Sequence, residues 1–192
     1  MRYSRPAGYL PEPDYLRPKR LMDSAKLYIF SGLPGSGKST LAQGLSSELN
    51  CAYLRIDTIE QAIRDLCNFK VEGEGYRLAY RVASDNLKCG ISVVSDSCNP
   101  IELTRAEWQE VAINAGVRFI NIEVVRSDKA EHKRRVEKRT STVAGLKLPT
   151  WEQVEQREYH AWESDRIVVD TAGKTEKTSL QELISSIKDW NK

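Results

Sequence analysis

The sequence is poor in histidine, with 2 in 192 residues, and its 4 cysteines, Cys51, Cys67, Cys89 and Cys98, form no C-x-x-C pair. That scarcity argues against a structural zinc site and leaves the cysteines to be read as reduced, mostly buried thiols. No apolar run approaches the ~20 residues that a membrane-spanning helix needs, and the N-terminus lacks the apolar segment of a secretion signal. A cytoplasmic protein without membrane contact is therefore expected. Charge of one sign is missing as well: 29 Lys+Arg against 27 Asp+Glu leave a net charge of +2, which argues neither for nor against a nucleic-acid partner. Internal repeats are absent, and the length suits one domain with a substantial core.

Proline is unevenly spread. Pro6, Pro11, Pro13 and Pro18 fall within residues 1–24, together with Arg2, Arg5, Arg17, Lys19 and Arg20. Without apolar periodicity this stretch reads as an extended basic arm, lying over the domain or gripping RNA or a partner subunit. Residues 25–192 form the domain proper.

The most informative stretch is Gly32-Leu33-Pro34-Gly35-Ser36-Gly37-Lys38-Ser39, which matches G-x-x-x-x-G-K-[ST]. It follows an apolar run, Lys26–Phe30, with strand composition, and precedes Leu41, Leu45 and Leu49 at helical spacing. Glycines at 32, 35 and 37 let successive amides turn inward at a helix N-terminus, where partial positive charge favours phosphate. Lys38 is expected to reach the β and γ phosphates of ATP, Ser39 to ligate Mg²⁺, and Pro34, Ser36 and Thr40 to complete the nucleotide-binding loop.

Further strands are expected at 52–56, 91–96, 117–125 and 166–170, alternating with helices. Asp57 ends the second strand in an Asp-x-x-Glu pattern with Glu60, which fits a helix cap. In a parallel sheet it also lies on the edge of the phosphate loop, where a carboxylate can orient an attacking alcohol and accept its proton. Asp96 ends the third strand and is a candidate for the Mg²⁺ shell, while Asn99 could contact the acceptor or make a turn. The helix carrying Tyr76, Arg77, Tyr80 and Arg81 stands where an acceptor-site wall would lie, its aromatics reading first as core and only second as ligand contacts. Thr104 with Glu107, Asp128 with Glu131, and Thr150 with Gln153 read as helix caps. Arg135 and Arg139, four apart, are predicted on one helical face as a pair bridging a transferring phosphoryl group. Residues 140–149 read as a closing segment, and Trp151, Val154, Tyr159 and Trp162 as one packing face of the next helix.

From the phosphate loop to about residue 175 the sequence resembles the small P-loop kinases of the nucleoside monophosphate kinase-like group. Within it the chain is most similar to AAA-domain kinases related to chloramphenicol phosphotransferase, zeta toxins, gluconate kinase and polynucleotide 5′-kinases. The motifs that carry the likeness are residues 32–40, Arg-Ile-Asp-Thr-Ile-Glu at 55–60, Val-Val-Ser-Asp at 93–96, and Arg134, Arg135 and Arg139. The resemblance implies a three-layer α/β/α P-loop fold with a five-stranded parallel sheet in the order 2-3-1-4-5 and a small helical lid at about 128–149. It also implies Asp57 as the acceptor-activating carboxylate, Asp96 in the magnesium shell, lid arginines at 135 and 139, and Thr171 to Gly173 near the adenine. Glu60 stands where polynucleotide kinases carry arginine, so an RNA kinase is the weaker alternative. A GTPase is disfavoured because Asn-Lys-x-Asp is absent, and a full AAA ATPase because the chain lacks room for its helical domain. The expected activity is transfer of the ATP γ-phosphoryl group to a hydroxyl of a small molecule. The non-enzymatic alternative is an ATP-gated binding module, and the oligomeric state stays open.

Overall fold

The structure, a computed structural model, describes residues 25–190, so the arm expected at 1–24 lies outside the described residues. The strand β1 (Lys26–Ser31) shows how the layers arise. Its alternating side chains are apolar on both faces, as a strand buried on two sides requires. Tyr28 and Phe30 enter one core cluster, and Leu27 and Ile29 enter the other.

Around it lie β2 (Ala52–Arg55), β3 (Val93–Asp96), β4 (Arg118–Val125) and β5 (Ile167–Asp170), in the expected order β2-β3-β1-β4-β5. Every pairing is parallel, and the register sets Phe30 beside Asp96 and Asp96 beside Arg55. The C-terminal ends of three strands thus share one edge. One face is covered by α1 (Lys38–Leu49), through Leu41 and Leu45, and by α7 (Glu176–Trp190), through Leu183 and Ile187. The other is covered by α3 (Glu74–Lys88), through Ala79, Ala83 and Leu87, and by α4 (Glu102–Ala115), through Trp108 and Ala112. Beside α3, α2 (Ile56–Cys67) leaves β2 directly. Beyond β4 come α5 (Lys129–Lys138) and α6 (Trp151–Glu155).

Several local expectations are corrected. Ile56 is buried in the core, so α2 begins there, with Arg55 as its unassisted N-cap. Asp57 consequently stands inside the first turn and is not the cap. Likewise α4 starts at Glu102 after extended Ile101, and Thr104 donates back to the Ile101 carbonyl at 3.0 Å instead of capping the helix. The caps at Asp128 and Thr150 are present, the latter with Gln153 as a full capping box. Among the cysteines, Cys67 and Cys89 are exposed and Cys51 and Cys98 half-buried; all are free, but they are not mostly buried. Among the described residues no helix is long and apolar enough to cross a membrane.

The helix expected to carry Tyr159 and Trp162 ends at Glu155. Those rings instead cover Arg105, whose guanidinium carbon lies 4.1 Å from the Trp162 ring centre and 5.0 Å from that of Tyr159. Arg105 is 0% exposed and donates to the carbonyls of Asn99, Pro100, His160 and Ala161. A buried guanidinium is tolerated because carbonyls satisfy its donors and aromatic faces lie against it. It fastens the segment after α6 to the β3–α4 loop. Replacing Arg105 with alanine leaves those carbonyls unpaired around a void and is expected to cost about 3–5 kcal/mol in urea unfolding. Lysine, which lacks the planar fork, should recover little of it.

Candidate active site

The phosphate loop is shaped by contacts on all sides. Gly32, with φ +141°, packs so closely that a Cβ there would lie 2.3 Å from the Val124 carbonyl oxygen. At Gly35, φ +87°, a Cβ would meet Val136 Cγ2 at 2.5 Å, so α5 can approach the loop only over glycine. Leu33 packs on Val136, Trp151 and Val154. The Gly32 amide donates to the Cys98 carbonyl at 3.1 Å. Thr171 Oγ1 donates to the Ser36 carbonyl at 2.6 Å, and the Ser36 hydroxyl is buried without a hydrogen-bond partner.

His132, on α5, is buried and its Nε2 lies 2.9 Å from the Pro34 carbonyl, to which it donates. Burial holds its imidazole below the usual 6.5, and Arg126, Arg139 and Arg135 push the same way against the Pro34 carbonyl. The neutral ring braces the loop against the helix.

At the loop's end Lys38 Nζ meets Asp96 Oδ1 at 2.6 Å, and Tyr53 donates to Asp96 Oδ2 at 2.6 Å. Ser39 also reaches that carboxylate, and Arg55 Nε is 3.8 Å away. Asp96 is 1% exposed. Burial alone would raise its pKa; Lys38, Tyr53 and Ser39 outweigh that and hold it below the usual 3.8. For Lys38 burial works in the opposite sense and is outweighed by Asp96, so its ammonium is held above 10.5. Both groups stay charged, as a buried pair must if it is to hold.

Lys38, Ser39 and Arg55 open onto a cavity of about 380 Å³, which the buried Asp96 and Ser36 do not line. It brings together Gly32, Pro34, Gly35, Gly37, Lys38, Ser39, Thr40, Asp57, Arg135 and Arg139 of the residues expected from the sequence. Thr171 lines an adjoining cleft with Gly37, Thr40 and Arg135, while Gly173 N–H is held by Glu131 Oε2 at 3.0 Å. Asp57, its side chain 53% exposed, stands 3.8 Å from Arg55. Arg135 and Arg139 do not share a helical face, because α5 stops at Lys138 and Arg139 continues in extended backbone. Arg135 sits 3.8 Å from Glu176, on the β5 side. Arg139 lies among Asp57, Arg55 and Arg157.

Asn99 is fully buried and donates to the Phe30 carbonyl and to Ser31 Oγ, so it makes the turn, at φ +44°, and is not an acceptor contact. Tyr76 and Tyr80 face the core and each other, with Tyr80 donating to Glu107. Sequence reasoning missed Tyr53, His132 and Arg157 as site residues, and read Arg55 only as part of a motif. Asp-capped α5 was visible, but nothing local marks which of its side chains turns to the loop.

The fold and its phosphate loop define a P-loop nucleotide-binding domain. Over residues 27–161 the chain matches the AAA domain family, and it belongs to that family. No curated protein matches the sequence. The fold recurs in the Mycobacterium tuberculosis APS kinase CysC in complex with AMPPNP and APS (TM-score 0.64, 20% identity, 86% of this chain and 99% of that one). It recurs in a gluconokinase from Sinorhizobium meliloti 1021 (0.59, 16%, 88% and 94%) and in Chaetomium thermophilum Kti12 in complex with ADP-AlF3 (0.62, 22%, 85% and 97%). At these identities the likeness is one of fold.

Because His132 is held neutral, the unfolded chain binds more protons than the folded one below pH 6.5. Stability should therefore rise with pH up to about 6.5 and then level off. Urea midpoints across that range should show the slope in the wild type and a flatter profile in His132→Gln.

Proposed function

We propose that this protein is an ATP- and Mg²⁺-dependent kinase that transfers the γ-phosphoryl group to a hydroxyl of a small molecule. The observation that carries this reading is the placement of Asp57 on the same cavity as Lys38 and the phosphate loop. A carboxylate facing the phosphate site is what an alcohol nucleophile needs and what mere nucleotide binding does not. The cavity's volume of about 380 Å³ suits a metabolite better than a polymer.

In the reaction Asp57 orients the acceptor hydroxyl and takes its proton as the oxygen attacks the γ-phosphorus. A new O–P bond forms, the bond from the γ-phosphorus to the β–γ bridging oxygen breaks, and ADP leaves with that electron pair. Lys38 and the loop amides hold the phosphates, and Arg135, on the nucleotide side, neutralises charge on the phosphoryl oxygens, while Arg139 stands beside Asp57 on the acceptor side. Ser39, a hard oxygen donor on the cavity, fits magnesium chemistry and would hold the ion through its hydroxyl, with Asp96, its oxygens engaged by Lys38 and Tyr53, behind Ser39. Bound there, the metal would supply charge neutralisation to the phosphates. Thr171 and Gly173 would border the adenine side. The known folds of this shape include a gluconokinase and an APS kinase, which agrees with phosphoryl transfer to small acceptors.

Asp57→Asn is expected to keep the affinity for an ATP analogue while lowering transfer about 10²- to 10⁴-fold. Following γ-labelled phosphate from ATP into separated small-molecule and RNA pools reads this out. Wild-type rates in the variant would remove Asp57 as the base, and label entering RNA alone would favour the polynucleotide alternative.

A further inference from the structure

The half of the cavity below β2 and β3 carries more positive charge than the nucleotide phosphates call for. Arg55 comes to it from the end of β2, Arg139 from beyond α5 and Arg157 from beyond α6, with Lys147 near them. The carboxylates on this side are Asp57 and Glu60, and Glu60 is already engaged by Arg64 at 2.9 Å. Arg139 is hemmed in, with Nε and Nη2 buried and without hydrogen-bond partners; Arg55 Nε likewise makes no hydrogen bond, although that guanidinium donates to Thr142 Oγ1 and stands 3.8 Å from Asp57 and Asp96. Burial and the charges of Arg55 and Arg157 press on the Arg139 guanidinium, opposed by Asp57. Arg157 is held beside Cys98 at the cavity wall, on the segment that Arg105 fastens down.

Guanidinium groups gathered with donors unpaired repel one another and forgo hydrogen bonds, a cost that a shared anion would remove. Lys38 and Arg135 belong to the opposite, nucleotide side, since Lys38 is bound to Asp96 and Arg135 borders the cleft with Thr171 and Glu176. The surplus therefore falls where the acceptor would lie.

We propose that the acceptor carries an anionic oxygen group, a phosphate, sulfate or carboxylate, that docks on Arg139 and Arg157 with Arg55 alongside, while its hydroxyl faces Asp57. The inference rests on the kinase reading above and narrows its substrate class to anionic hydroxyl compounds. Arg157 is the specificity residue of this subsite. Its side chain is exposed, so replacing it leaves the core intact.

The test is calorimetric titration of the full chain saturated with Mg²⁺ and AMPPNP, at fixed ionic strength. Sodium sulfate is added in one arm and sodium acetate in another, which separates a tetrahedral oxyanion from a carboxylate. At least one anion should bind saturably with one site per chain. Arg157→Gln should weaken that binding tenfold or more, Arg157→Lys should keep part of it, and the affinity for AMPPNP should be unchanged in both. Absence of saturable binding by either anion, or equal affinity in wild type and Arg157→Gln, overturns the proposal while leaving the kinase reading in place. Failure of AMPPNP itself to bind overturns the kinase reading and this extension together.

Discussion

The pair between Lys38 and Asp96 is the interaction on which the rest of the site depends. Two opposite charges removed from water are sustained only when geometry is close and the remaining lone pairs are filled. Here Lys38 lies 2.6 Å from one carboxylate oxygen, Tyr53 fills the other and Ser39 joins them. Because Lys38 begins α1 while Tyr53 lies in β2 and Asp96 ends β3, the pair fixes three elements against one another. The phosphate loop is therefore anchored at its C-terminal end by charge.

Its remaining sides are fixed by other means. Thr171 and His132 each hold a loop carbonyl from β5's end and from α5, and Val136 closes over Gly35. The result is a loop whose backbone conformation is over-determined by its surroundings, which suits a site that must present amides to phosphate without rearranging. Away from it, Arg105 performs a comparable service with a single buried cation. It joins the segment carrying Arg157 to the loop after β3, so the part of the cavity that Arg157 lines inherits its shape from the core.

Much of this was legible in the sequence, because it is written locally. Residues 32–39 specify a glycine-rich turn between strand and helix whatever surrounds them, and Asp57 and Asp96 are marked by standing where apolar strands end. The sheet order came through resemblance to a known family. What stayed hidden depends on contacts between distant segments. Arg157 sits in a stretch whose aromatics look helical until Arg105, more than fifty residues earlier, is seen to draw them away. Tyr53 reads as an ordinary strand residue, and only the register of β2 on β3 brings its hydroxyl to Asp96. Arg135 and Arg139 were grouped by a helical period that ends one residue too soon. The Asp57 and Thr104 caps failed for a simpler reason: burial of Ile56 and the extended Ile101 start each helix earlier than its polar pattern implies.

The central place of β1 also has a bearing on how the chain is made. Its two partners, β3 and β4, begin at residues 93 and 118, so the first strand emerges from a ribosome long before either neighbour. At roughly 5–20 residues per second that interval is about 3–20 s, during which an almost wholly apolar strand has no sheet to enter. Parallel pairing across such distances closes slowly in any case. The phosphate loop that follows β1 therefore cannot take its final shape until β3 and β4 have been made.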